Sequence, residues 1–166
     1  ISSFSLRFVF PSFSVDKKTS WILGTAPLSF KKIFFGKYIF YTTFFVILGV
    51  LMSYANTLVL GLSTAHALYS LLLLITAIVF IVTLGLSLGA LFPSLDTDDP
   101  EVISTSMPGL FFTALSLIYG ALCAFTLYNA LIKGNLLWLF LLVIVTSLVT
   151  VGILLRTPKH VDVRSF

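Results

Sequence analysis

The sequence predicts an all-α polytopic membrane protein: four transmembrane helices preceded by a cytoplasmic amphipathic helix. Three observations carry that reading. The chain is 58% hydrophobic and only 10% charged, against about 25% charged in soluble domains. Its mean hydropathy is +1.11. Four apolar runs reach or exceed the ~20 residues that a bilayer core requires. Too little polar surface remains to cover a water-soluble core, so the solvent for most of the chain is lipid.

The elements follow in order. Residues 1–10, ISSFSLRFVF, read as the tail of a helix that begins upstream. Residues 11–37 form a hydrophilic, membrane-surface piece. Within it, 15–25 (VDKKTSWILGT) is a candidate amphipathic helix. Asp16 or Thr19 suits its N-cap, and Gly24 with Pro27 suits its end. Lys17 and Lys18 give it a basic side; Trp21, Ile22 and Leu23 give it apolar anchors. Pro27 with Ser29 then starts a further helix, since proline is pre-set for a first turn. Lys31, Lys32 and Lys37 read as membrane-surface anchors that snorkel toward headgroups while Ile33, Phe34 and Phe35 dip into lipid.

The four spans run over about 38–60, 66–92, 108–131 and 135–155. They must be helices, because backbone groups in lipid are satisfied only within the segment. The alternation of barrel strands is missing. An acidic loop, 93–107, separates the second and third spans. Its Asp99-Pro100-Glu101 is a helix start: Asp as N-cap, Pro at the first position, Glu matched to the dipole. Asp96 and Asp98 lack EF-hand spacing, so no metal site is expected. A tail, 156–166, follows the last span.

Charge sets the orientation. With four spans, nine of the ten Lys and Arg residues fall on one side; Lys133 alone falls on the other. By the positive-inside rule both ends of the segment are cytoplasmic, in the cell membrane. Tyr38, Tyr41, Tyr128 and Trp138 lie near span ends, where amphipathic rings prefer the interface. Two small-residue faces, Gly85-x-x-x-Gly89 and Gly120-x-x-x-Ala124, suit close helix packing.

Absent motifs narrow the function. The spans show no firm ionisable residue, which argues against a proton-driven path. The chain has no GxxxxGK[ST], so it does not itself cradle ATP phosphates. It has no HExxH, no GxSxG and no Cys/His zinc spacing. These absences argue against a membrane enzyme, and no cofactor is expected in this chain. Its basic surface is too small for a nucleic-acid module. The single cysteine, Cys123, forms no internal disulfide.

Residues 7–40 resemble the cytoplasmic segment of ATP-binding cassette (ABC) exporter permeases of the drug- and polysaccharide-exporting type. Arg7, Pro11, Ser12 and Ser14 match one lead-in pattern. Pro27, Leu28, Ser29, Lys31, Lys32, Gly36 and Lys37 match the entry to the following span, and GALFPSLDTDDPEVISTS (89–106) matches a later phrase. The resemblance covers most of the chain. It departs at Asp16-Lys17, where Glu-Gly is usual, and at ALIKGN (130–135), which is too short for the re-entrant half-helices of better-known exporters. The resemblance implies a permease that moves an unidentified substrate outward. ATP would be hydrolysed by a P-loop ATPase subunit, and the permease would pair with a second copy or homologue. It further implies that 15–25 is a coupling helix, with Asp16, Lys17, Lys18, Trp21, Ile22, Leu23 and Pro27 at the ATPase contact. On the residues alone, Trp21 and its neighbours equally suit the headgroup layer. A structural or accessory subunit of a larger membrane complex remains the alternative reading.

Overall fold

The computed structural model describes residues 2–15, 30–61, 63–92 and 100–160. Among these it contains helices and no strands. α1 (Ser2–Phe4) continues into a π-helical stretch, Ser5–Val9, and α2 spans Ser12–Val15. α3 (Phe30–Leu60), α4 (Thr64–Leu91), α6 (Met107–Ile132) and α7 (Leu137–His160) are the long helices; α5 (Pro100–Ser104) is a single turn. Each long helix is long and apolar enough to cross a membrane. The chain is an all-α polytopic membrane protein. Residues 16–25 of the candidate amphipathic helix and residues 93–99 of the acidic loop lie outside the described residues.

Two of the boundaries differ instructively from the sequence reading. The first span's helix is already formed at Phe30, ahead of the span bound at 38, and a buried stripe runs along it there. Phe30, Phe34 and Phe45 are buried on one face, with Tyr38 and Tyr41 packed against the same cluster. That three-to-four spacing keeps one side of a helix inward, while Lys31 and Lys32 stay exposed. The last helix likewise continues through Pro158 to His160. Glycines with positive φ follow the first and third long helices. Gly61 (φ +59°) and Gly134 (φ +66°) take the left-handed region that only glycine enters without strain. Ser63 accepts a hydrogen bond from the His66 backbone N–H at 3.4 Å, capping α4. The Asn129 carbonyl accepts from both Lys133 and Asn135 N–H, closing α6.

α4 is the central element. It packs against α3, α6, α7 and the N-terminal segment. Half of its most apolar window is buried, against 11%, 22% and 17% for the other three spans. The outward faces of α3, α6 and α7 instead present large apolar side chains such as Phe40, Ile47, Leu117 and Leu148. Apolar surface of that extent belongs in lipid.

The N-terminal segment is wedged into the bundle. Val9 and Phe10 are fully buried, as is Ser5. The Phe10 N–H donates to the Ser5 carbonyl at 3.0 Å, the i→i−5 bond of a π turn. Pro11, with no N–H to give, ends that turn. Val9 and Phe13 join α3 and α4 side chains in one apolar cluster with Ile78, Val82 and Leu86. The wedge fits because α4 is glycine there. A Cβ on Gly89 would collide with the Phe10 carbonyl, and one on Gly85 would press on Val9 and Phe112. Gly120 differs: nothing lies within 4 Å of its Cβ position.

Gly89→Ala is therefore expected to destabilise the purified chain by about 1–3 kcal/mol through overpacking against backbone. Gly120→Ala should be neutral or slightly stabilising, since it only improves helix propensity. Unfolding midpoints of both variants in one detergent test the contrast, and equal effects would refute it.

Candidate functional site

The sequence-predicted contact residues Asp16, Lys17, Lys18, Trp21, Ile22, Leu23 and Pro27 lie outside the described residues. The structure describes the residues on either side of that segment, 2–15 and 30–37, and it brings them together. The Phe13 ring lies 5.6 Å from Phe30 and 6.1 Å from Phe34. Phe30 and Phe34 are themselves 6.2 Å apart. These are favourable ring separations, beyond the gain from simple burial.

Lys37 completes the junction. Its ammonium donates to the Ser12 carbonyl at 2.5 Å and sits 4.5 Å from the Phe13 ring centroid. Sequence placed Lys37 beside Lys31 and Lys32 as a surface anchor. The structure separates them: Lys31 and Lys32 are exposed, and Lys37 is half-buried. A carbonyl and a ring face together accept a cation where water is scarce.

The junction is tied to the rest of the bundle at two further points. Phe10 stacks on Phe112 of α6 at 6.3 Å. Arg7 reaches Glu101 of α5 at 3.8 Å, with both side chains exposed. An exposed pair of this kind adds a few tenths of a kcal/mol at most, so the aromatic contacts dominate. Phe10, Phe13 and Phe112 were not singled out by sequence, and Phe34, read there as dipping into lipid, is instead fully buried in the bundle, against the Phe13 ring. The only available signal was the i, i+4 spacing of Phe30 and Phe34, which reports a face and not its partner.

The membrane interior is polar but self-contained. Thr83 donates to the Val79 carbonyl at 2.7 Å, Thr146 to Leu142 at 2.6 Å and Thr150 to Thr146 at 2.7 Å. Thr76, Thr113, Ser116, Thr126 and Ser147 bond back in the same way. Asn129 donates to the Phe125 carbonyl at 2.8 Å. A cleft of about 820 Å³ runs between α3, α4 and α6. Its polar lining is Ser53, Asn56, Thr57 and Ser70, and no ionisable side chain lines it. Among the described residues no three His, Cys, Asp or Glu side chains gather as a metal site. Asp96, Asp98 and Asp99 lie outside those residues. At the far end Lys133 lies 5.9 Å from the Tyr128 ring.

A family model described as "Putative ATP-binding cassette" matches residues 1–157. The chain belongs to that family. The match runs from the N-terminal wedge through all four long helices, so this ATP-binding cassette family member is an ABC-transporter-related membrane protein. No curated protein matches the chain, and neither does any solved structure.

Lys37→Met should weaken the junction by about 1–2 kcal/mol, losing one charge-assisted hydrogen bond and one cation–π contact. Lys31→Met should change little. A lower unfolding midpoint for the first variant alone is the expected result; equal midpoints would show that Lys37 is only a surface anchor.

Proposed function

We propose that this chain is the membrane-spanning permease subunit of an ABC exporter, with ATP hydrolysed on a separate P-loop subunit. Family membership supports the ABC system. Two features favour the permease part over the ATPase part. The chain's 166 residues carry no GxxxxGK[ST] motif, and the described residues form no strand from which a P-loop would spring. What they do form is four candidate spans.

The observation that carries the coupling reading is the junction of Phe13, Phe30, Phe34 and Lys37. An ATPase outside the membrane must push on something rigid. The described residues on either side of 16–29, Phe13 and Phe30, meet at one point. That point is bound to α3 by stacked rings, to α4 at Gly89 and to α6 through Phe112. A force applied to Trp21, Ile22 and Leu23 is then delivered to three helices at once. In this reading Asp16, Lys17, Lys18 and Pro27 border the ATPase groove. A second permease copy or homologue completes the transporter, and both ends of the segment face the cytoplasm. The uncharged 820 Å³ cleft fits transport powered by ATP better than a proton relay, which would need an ionisable group within the spans.

The test is purification from the native source in gentle detergent, with mass spectrometry of stoichiometric partners. A P-loop ATPase in one-to-one ratio is expected. Trp21→Ala should reduce its retention roughly tenfold or more, as loss of a buried aromatic anchor does, without altering the unfolding midpoint of the chain. Deleting 15–25 should abolish retention. A stable complex without any ATPase would favour the structural-subunit reading, and survival of ATPase binding in both variants would remove the coupling role of 15–25.

A further inference from the structure

A second cleft, of about 460 Å³, opens between α4 and α7 at the end of the bundle that carries Arg7, Lys31, Lys32 and Lys37. Leu84, Leu88, Val149 and Ile153 form its apolar walls. Three further features make it more than a gap between helices. Arg156 stands in its lining, exposed, and makes no ion pair among the described residues. Ser87 lines it as well; the residue is 4% exposed, and its hydroxyl is buried without a hydrogen-bond partner. The other buried hydroxyl of α4, that of Thr83, bonds to its own helix. The third feature is Gly152, at which a Cβ would meet nothing within 4 Å. The cleft exists partly because that position has no side chain.

We propose that this cleft holds one anionic membrane phospholipid. Its phosphate sits on Arg156 and an acyl chain lies in the α4–α7 trough. The chemistry is layered as a lipid is layered. A guanidinium at the mouth offers paired N–H donors to phosphate oxygens. Ser87 lies one turn, about 6 Å along α4, below Leu91 at the mouth. It offers a donor at the depth where a glycerol ester carbonyl follows the phosphate. Below that the lining is Leu, Val and Ile. Basic pockets between spans on the positively charged side select anionic headgroups in this way. The site is independent of the exporter reading and requires only that the chain spans a membrane.

The test uses the chain purified with its native partners in mild detergent. It is titrated with phosphatidylglycerol or phosphatidylcholine, and retained adducts are counted by native mass spectrometry. One phosphatidylglycerol per chain is expected to survive activation that strips phosphatidylcholine. Arg156→Gln should reduce its retention roughly fivefold, the loss of one headgroup cation. Gly152→Leu should remove binding of both lipids by filling the trough. Gly152 faces open space and leucine is the better helix former, so that variant should fold; Val149→Trp, from a half-exposed position, fills the same space from a second point. Lys133→Gln, at the opposite end, should have no effect. Equal retention of the two lipids by the unaltered chain would overturn the proposal. So would retention that survives both filling variants, or displacement of the lipid by millimolar inorganic phosphate, which would mark an ion site.

Discussion

The bundle depends on one close approach: the backbone at Phe10 resting on the backbone at Gly89. Two helical segments come this near only where a Cβ is missing. From that contact the rest of the basic end follows. With Phe10 seated, Val9 fills the space beside Gly85, the Phe10 ring reaches Phe112, and Phe13 lands against Phe30 and Phe34. Pro11 turns the chain so that the Ser12 carbonyl meets Lys37. A methyl group at position 89 would displace all of these together. α4 is thus central twice over, as the most buried span and as the floor on which a short N-terminal segment lies.

The long helices were legible because lipid imposes a simple demand. A run of Leu, Ile, Val and Phe of bilayer length has one stable solution, a helix. Four such runs are legible in the sequence, and the structure has a long apolar helix over each. The wedge was not legible in the same way. Residues 2–10 mix serines and Arg7 with apolar side chains and are too short to be read as a span, and no periodicity in them announces a π turn. Gly85 and Gly89 advertised a close contact without naming what would make it. Lys37 looked like Lys31 and Lys32, because charge near a span end normally seeks water; only the carbonyl of Ser12 and the ring of Phe13, 24 to 25 positions earlier in the chain, turn it inward. Contacts between residues so far apart leave no trace in local pattern. The candidate contact residues from Asp16 to Pro27 lie outside the described residues.

Function reads through the same geometry. In the proposed reading an ATPase on a partner chain supplies a mechanical input, and the described N-terminal segment, residues 2–15, meets α3, α4 and α6 at one junction. The lipid cleft at α4 and α7 lies on the opposite flank of α4 from α3. Whatever fills it bears on the same central helix that carries the wedge.

The self-bonded hydroxyls have a mechanical meaning. Thr83, Ser116, Thr146 and Thr150 are buried, yet each gives its proton to a carbonyl on its own helix. At these four positions the seams between α4, α6 and α7 are therefore held by dispersion and shape, with the hydroxyls already satisfied within their own helices. Such seams can slip by a fraction of a turn without rupturing a cross-helix hydrogen bond, so the resistance to shear is small and smooth. Only the glycine-lined end, where backbone lies on backbone, resists it. The bundle behaves as a set of lubricated rods pinned at one end, and displacement at the pin would be passed along each rod to the far side of the membrane.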